Sequence, residues 1–182
     1  MNRPHPLERN LALIGFMTAG KTLVGQTLSR LCGLPFVDVD ALIESLEQMD
    51  VHQIFASKGE PYFRRVESAV LGQLCEGSGQ IIGCGGGTVL AEENRLLLRR
   101  RCITFWLTVP MPEVLGRLEN PQSPRRPLLE GQDIPEVVAA LMRAREPLYQ
   151  MADHAVPTEG RDPEEIAREI AWRAGLAVIG PV

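Results

Sequence analysis

The chain has 182 residues, the length of one ordinary domain. Hydrophobic residues make up 45% and charged residues 23%, which is typical of a globular protein rather than a disordered or fibrous one. The net charge of −4 lacks the excess of lysine and arginine that a broad nucleic-acid surface needs, so a small-molecule partner is expected. No apolar run reaches the roughly 18 residues of a membrane span, and no secretory signal begins the sequence. We therefore expect a cytoplasmic protein with no membrane or nucleic-acid partner.

The cysteines do not predict a metal centre. Cys32, Cys75, Cys84 and Cys102 form no C-x-x-C pair, and the three histidines stand apart from them in the sequence. In a reducing compartment such cysteines are most simply small buried side chains.

Short apolar segments alternate with amphipathic ones along the chain. In chain order, the pattern predicts a strand over residues 10–14, a helix over 21–31, a strand over 34–38 and a helix over 41–49. A mostly helical stretch follows over 51–75 with a break at 59–61, then a strand over 80–84, a helix over 91–101 and a strand over 102–109. The last elements are helices over 110–118 and 134–151, a strand over 154–157 and a helix over 163–174. This alternation predicts a mostly parallel sheet covered by helices on both faces.

Residues 15–22 (GFMTAGKT) satisfy the phosphate-loop pattern G-x-x-x-x-G-K-[ST] and lie between a predicted strand and a predicted helix. The glycines let backbone N–H groups point at phosphate oxygens, the lysine reaches the β- and γ-phosphates, and the hydroxyl meets Mg²⁺. With 17 glycines and only two lysines in the chain, a chance match has a probability on the order of one in a thousand. The loop alone leaves kinases, GTPases, ATPases and nucleotide-dependent regulators open.

Two carboxylates follow the second predicted strand. Asp38 and Asp40 come at its carboxyl end, where open parallel sheets bind ligands. Helix capping could explain one of them. Alternation along an extended stretch predicts that both lie on the same side, with at least one facing the phosphates or the acceptor.

Several arginines and glycines are candidate ligands for an anionic substrate. Arg64 and Glu67 share a helix face, and taken alone they read as a surface ion pair. The glycines at 85–87 can bring backbone amides close to a substrate. The predicted loop over 119–133 is long and mobile, and its Arg125 and Arg126 either fold onto a transferring phosphate or are merely solvated.

Together these segments resemble the shikimate kinase family, a branch of the nucleoside-monophosphate-kinase-like phosphate-loop proteins. The likeness covers about residues 10–174 and rests on five ordered motifs, at residues 15–22, 36–40, 59–67, 85–87 and the pair 126–129 with 145–149. It implies a three-layer α/β/α fold with a five-stranded parallel sheet in the order 2-3-1-4-5. It also implies one kinase domain over 1–182, a lid at about 119–132 and an acceptor-binding region at about 40–75.

The resemblance also implies roles for single residues. Lys21, Asp40 and Arg126 match catalytic positions, and Thr22 and Asp38 match the Mg²⁺ site, with Asp38 acting through water. The positions that match acceptor-binding residues are Asp40, Arg64, Gly86 and Arg145. The positions that match ATP-binding residues are Gly15, Thr18, Ala19, Gly20, Lys21, Thr22, Leu23, Arg117, Arg126 and Arg161.

The activity implied is ATP-dependent phosphorylation of the 3-hydroxyl of shikimate, giving shikimate 3-phosphate and ADP in aromatic amino acid biosynthesis, with Mg²⁺ as cofactor and a monomeric enzyme. Three departures stand out: Thr18 replaces a frequent glycine, Thr22-Leu23 replaces the usual Ser-Thr, and Arg117 and Arg126 are nine residues apart, slightly more than the family spacing. Two rivals stay open, a related kinase such as gluconate kinase and a nucleotide-dependent regulator.

Overall fold

The protein is described by a computed structural model that covers residues 8–120 and 133–179. Within those residues, five strands form one parallel sheet: β1 (Asn10–Ile14), β2 (Phe36–Asp38), β3 (Ile81–Gly83), β4 (Cys102–Thr108) and β5 (His154–Pro157). Their order across the sheet is β2-β3-β1-β4-β5. This confirms the fold class and the strand order expected from the resemblance.

The helices follow the predicted alternation closely. They are α1 (Lys21–Cys32), α2 (Val39–Glu47), α3 (Val51–Lys58), α4 (Glu60–Leu74), α5 (Glu92–Arg101), α6 (Met111–Leu118), α7 (Ile134–Tyr149) and α8 (Pro163–Arg173). The predicted break at 59–61 is confirmed, because Gly59 separates α3 from α4 with φ 80°. A short 3-10 helix (Thr88–Leu90) lies before α5 and was not predicted.

The centre of the sheet is fully enclosed. Every residue of β1 is buried, which places helices on both of its faces and explains its unbroken apolar sequence. The four cysteines are buried thiols, which confirms their interpretation as small core side chains. Burial raises the pKa of the Cys84 thiol, so its thiolate form is suppressed.

Strand register brings three loops to one edge. Gly83 of β3 pairs with Leu13 of β1 on one side and with Asp38 of β2 on the other. The segments that follow these three strands are the phosphate loop, the start of α2 and the glycines at 85–87. The candidate ligands therefore converge at the carboxyl edge of the sheet, as the sequence predicts.

No helix within residues 8–120 and 133–179 is long and apolar enough to cross a bilayer. Nearly all of the predicted lid at 119–132, including Arg125 and Arg126, lies outside the described residues.

Candidate active site

The phosphate loop wraps from the end of β1 to the start of α1. Its first glycine, Gly15, has φ 146°, and a side-chain carbon there would lie 2.6 Å from the carbonyl oxygen of Leu107 in β4. Its second, Gly20, caps α1 in the left-handed conformation with φ 88° and has open space around it. Gly15 is required because the loop passes too close to β4 for a side chain, and Gly20 is favoured because its backbone is left-handed. The loop leads into the positive end of α1, which suits a bound anion.

The loop lysine lies over the loop itself. Nζ of Lys21 donates hydrogen bonds to the carbonyl oxygens of Gly15 and Phe16, at 2.9 and 2.8 Å. An ammonium in this place can turn from these carbonyls to a phosphate without leaving the loop. Of the other predicted ATP-binding residues here, Ala19 is buried within the loop, and Leu23 is 54% exposed.

Of the three arginines predicted to serve ATP, Arg117 and Arg161 lie within the described residues, and Arg117 donates to the phosphate loop whereas Arg161 bonds elsewhere. Nη1 of Arg117 in α6 donates to the carbonyl oxygen of Thr18 at 2.5 Å, and Arg117 also pairs with Glu113. Arg161 lies beyond β5, where its guanidinium donates to the carbonyl oxygen of Pro157 at 3.0 Å and pairs with Glu169 at 2.7 Å.

The predicted Mg²⁺ residues lie together beside the loop. The hydroxyl of Thr22 donates to Oδ2 of Asp38 at 2.6 Å. Among residues 8–120 and 133–179, no group of three or more His, Cys, Asp or Glu side chains could hold a metal ion. Mg²⁺ needs no such cage, because it is commonly held by one or two protein oxygens, waters and the substrate phosphates. The hard oxygen donors of Thr22 and Asp38 therefore fit this ion.

The reasoning that placed Asp38 and Asp40 on one side by strand alternation is wrong, although its result stands. Helix α2 begins at Val39, so Asp40 lies in the first helical turn rather than in a strand. Asp38 is the helix cap, and its side chain accepts from the backbone N–H groups of Asp40 and Ala41. Both carboxylates nevertheless line the cleft that contains Lys21. Asp38 can therefore cap α2 and also contact a ligand in this cleft.

A second pocket opens beside the phosphate loop, with the glycines at 85–87 as its floor. A side-chain carbon on Gly85 would lie 2.7 Å from carboxylate oxygens of both Asp40 and Glu67. One on Gly87 would overlap the guanidinium of Arg64. The floor has no side chains because charged groups from α2 and α4 already fill the space above it.

Arg64 is anchored by carboxylates of its own helix. Glu60 accepts from its Nε and Nη2 at 3.1 and 3.0 Å, and Glu67 accepts from its Nη1 at 2.8 Å. Glu67 is fully buried and also accepts from the hydroxyl of Thr88 at 2.6 Å. Burial lowers the pKa of the Arg64 guanidinium, but the two glutamates outweigh burial and raise it overall. The interpretation of Arg64 and Glu67 as a surface pair is therefore wrong.

Arg145 of α7 lines the same pocket as Arg64. It is buried, only 4% exposed, and its guanidinium lies over the ring of Phe16 with 5.9 Å to the ring centre. Its Nη1 donates to the carbonyl oxygen of Gly86 at 3.2 Å. The structure thus brings Asp40, Arg64, Gly86 and Arg145 to one pocket, as predicted.

The apolar lining of the pocket was not predicted from the sequence. It consists of Met17, Val51, Phe55 and Phe63. The two phenylalanine rings lie 5.0 Å apart between their centres, and the guanidinium of Arg64 lies 5.3 Å from the ring centre of Phe63. The only signal for this lining in the sequence was the position of Phe63 directly before Arg64. The pocket therefore offers one apolar wall, two cations and a carboxylate.

A parallel α/β sheet with a phosphate loop and an adjacent pocket of this charge pattern defines a phosphate-loop kinase that acts on a small anionic metabolite. Comparison with known proteins gives the particular family. The family model for shikimate kinase matches residues 17–174. The chain is 41% identical over 172 residues to the shikimate kinase of Moorella thermoacetica, covering 92% of this chain and 98% of that one. It is 40% identical over 163 residues to that of Geobacter sulfurreducens, covering 90% and 89% of the two chains.

A solved structure agrees. The shikimate kinase of Acinetobacter baumannii in complex with shikimate superposes with a TM-score of 0.86 at 32% identity, covering 91% of this chain and 92% of that one. The chain belongs to the shikimate kinase family.

Proposed function

We propose that this site transfers the γ-phosphoryl group of ATP to the 3-hydroxyl of shikimate, giving shikimate 3-phosphate and ADP. The observation that carries the proposal is the position of Arg64, Arg145 and Asp40 around a side-chain-free floor next to the phosphate loop. The resemblance to the Acinetobacter baumannii enzyme, whose structure holds shikimate, supports the same acceptor.

The carboxylate of the acceptor would meet the two arginines. A guanidinium has five N–H donors, and Glu60 and Glu67 engage three of those of Arg64. The remaining two are one on Nη1 and one on Nη2, the number that a bidentate carboxylate accepts. Arg145 supplies the second cation, and the wall of Phe55 and Phe63 accommodates the carbon ring.

Asp40 would orient the hydroxyl that is phosphorylated. It lines both the acceptor pocket and the cleft of the phosphate loop, as do Met17 and Gly86. A carboxylate at this junction accepts a hydrogen bond from the attacking hydroxyl and can take up its proton. We therefore assign Asp40 the role of catalytic base and acceptor ligand.

Transfer itself needs positioning and charge neutralisation more than covalent chemistry. The hydroxyl oxygen bonds to the γ-phosphorus as the bond to the bridging β,γ-oxygen breaks, and Lys21 neutralises charge on the phosphates. When bound, Mg²⁺ shields the β- and γ-phosphates, and Thr22 together with Asp38 would hold it. The role of Arg126 stays a prediction from the sequence, as does the monomeric state.

We place the reaction in the cytoplasm, because ATP is available there and four reduced cysteines suit a reducing compartment. The whole chain is proposed as one kinase domain, with the acceptor region at about residues 40–75.

The test is ADP release measured with shikimate, with gluconate and without acceptor. Release that depends on shikimate is expected. Preference for gluconate would identify a related sugar-acid kinase, and release that does not depend on any acceptor would indicate a nucleotide-dependent regulator.

A pair of variants on one helix then tests the acceptor site. Arg145→Ala should raise the KM for shikimate at least about tenfold with a much smaller effect on the KM for ATP, because a charge-assisted hydrogen bond is lost. Arg143→Ala is the matched control, since Arg143 is exposed two residues away and, among the described residues, donates to a carbonyl of its own helix. Equal losses for both substrates in Arg145→Ala would contradict the assignment.

A further inference from the structure

A buried phenol contacts the floor of the acceptor pocket from behind and has no part in the chemistry described so far. Tyr149 ends α7 and is 2% exposed. Its hydroxyl donates a hydrogen bond to the carbonyl oxygen of Gly86 at 2.5 Å. Its ring stacks on Trp106 of β4, with 5.9 Å between ring centres and 23° between planes. The hydroxyl is therefore held in place by packing on the sheet.

The same carbonyl oxygen also accepts from Arg145. Tyr149 lies four residues after Arg145, so both side chains leave α7 on one face. The hydroxyl of Tyr149 is at 2.5 Å and Nη1 of Arg145 at 3.2 Å from the oxygen of Gly86. A carbonyl oxygen has two lone pairs, and these two donors occupy both.

Backbone N–H groups of Thr88 and Leu90 donate to the carbonyl oxygens of Gly85 and Gly87, whereas the carbonyl of Gly86 receives its donors from α7. Residues 85–87 are all glycine, so they have no side chains with which to hold their own conformation. At the C-terminal end of this glycine loop, the hydroxyl of Thr88 donates a hydrogen bond to the buried carboxylate of Glu67. The middle of the loop is tied through the carbonyl of Gly86 to α7.

We propose that Tyr149 is a positioning residue for the acceptor: its phenol satisfies the carbonyl of Gly86 and so leaves Arg145 able to direct its guanidinium to the acceptor carboxylate. This inference rests on the proposed function of the site. Without the phenol, Arg145 would be left as the donor to the carbonyl of Gly86. The acceptor carboxylate would then compete with this carbonyl for the guanidinium of Arg145.

Protonation of the phenol supports this role. Burial raises the pKa of Tyr149 to about 12, although the charge of Arg145 acts to lower it. The hydroxyl therefore remains a donor at every pH at which kinases work.

The experiment uses the full chain with Tyr149→Phe, which keeps the ring on Trp106 and removes only the hydroxyl. The KM for shikimate should rise about threefold to tenfold, while kcat and the KM for ATP stay within about twofold, because one neutral hydrogen bond beside the acceptor is lost. Calorimetric titration with shikimate in the absence of ATP should show the same weakening of the Kd.

The matched control is Tyr62→Phe, the other tyrosine of the chain. Its hydroxyl donates to the carboxylate of Glu47 at 2.8 Å, in a cluster with Lys58. Tyr62 is in the numbered range of the acceptor region but not among the residues that line the pocket, so both KM values should stay at the wild-type level in this variant. Because KM does not depend on the amount of folded enzyme, partial unfolding of Tyr149→Phe would lower the apparent kcat without producing the expected shift.

Three results would overturn the inference. One is an unchanged KM and Kd for shikimate in Tyr149→Phe, and another is an equal rise in both KM values, as a merely structural role would give. A wild-type enzyme that does not phosphorylate shikimate would overturn the proposed function together with the inference. Normal turnover of the wild type separates the first two results from the third.

Discussion

The hydroxyl of Thr22 donates a hydrogen bond to Oδ2 of Asp38 at 2.6 Å, and this contact joins the phosphate loop to the end of β2. The other carboxylate oxygen of Asp38 accepts from the backbone N–H groups of Asp40 and Ala41, at 3.1 and 3.3 Å. One side chain therefore caps α2 and reaches the proposed Mg²⁺ position. Because α2 carries Asp40, the cap also sets the position of the proposed base.

Two substitutions of Asp38 separate these roles. Asparagine caps helices about as well as aspartate, so the free energy of unfolding of Asp38→Asn should lie within about 0.5 kcal/mol of the wild-type value. That of Asp38→Ala should be about 1 kcal/mol lower. Both remove the charge, and both should raise the Mg²⁺ concentration needed for half-maximal rate about tenfold or more. Mg²⁺ titration of the rate and urea unfolding measure the two effects. A normal Mg²⁺ requirement in Asp38→Asn would leave Asp38 as a cap only.

Thr18 is strained within the phosphate loop. Its φ is 62°, in the left-handed region that β-branched residues rarely adopt, and its carbonyl is held by Arg117. The left-handed conformation costs roughly 1–2 kcal/mol for a residue with a side chain, and glycine costs about 0.5–1 kcal/mol more than other residues in folding entropy. The strain is larger than the entropy cost, so replacing Thr18 by glycine should increase the free energy of unfolding.

Thr18→Gly should therefore stabilise the protein by about 0.5–1 kcal/mol and raise its Tm by a few degrees, with kcat within a few-fold of the wild type. Thermal melting and the ADP-release assay check this. Gln48→Gly is the comparison, since Gln48 has φ 53° at the end of α2 but is not β-branched, so its gain should be smaller. A lower Tm for Thr18→Gly would mean that the threonine side chain makes compensating contacts.

The sequence predicts the fold well because local patterns decide most of it. The predicted strand over 154–157 matches β5, and the strand over 10–14 matches β1. Apart from the missed 3-10 helix (Thr88–Leu90), errors fall at element ends, where one residue changes the pattern little. Helix α2 begins at Val39 rather than at 41, because Asp38 supplies the cap that the apolar periodicity does not reveal.

The site is predicted less completely, because burial and contacts across the fold are not visible in local spacing. The spacing of Arg64 and Glu67 predicts that they share a helix face, but it does not reveal that Glu67 is fully buried and bonded to Thr88 of another element. Tyr149 lies within a motif that was used for the family resemblance. Its partner is 63 residues away, so no local pattern indicates the hydrogen bond to Gly86.

The raised pKa of Tyr149 links the stability of the protein to alkaline pH. Burial is the main cause of the shift from 10 to about 12. The folded state therefore holds the phenol proton more tightly than the unfolded state does. For a group whose pKa is raised on folding, the contribution to stability is fully present below the unfolded value and is lost as the pH rises toward the folded value. For Tyr149 the loss falls between pH 10 and about pH 12.

Comparison with Tyr149→Phe isolates this contribution, because other titrating groups are common to both proteins. Each pH unit above the unfolded pKa removes about 1.4 kcal/mol of the stability that the buried phenol contributes. Between pH 9 and pH 11, the free energy of unfolding of the wild type should therefore fall by about 1.4 kcal/mol more than that of Tyr149→Phe. Urea unfolding at intervals of half a pH unit measures the two curves. Tyr62→Phe should follow the wild type, since it retains the buried phenol. A constant difference between the wild type and Tyr149→Phe over this range would contradict a buried, hydrogen-bonded phenol at Gly86.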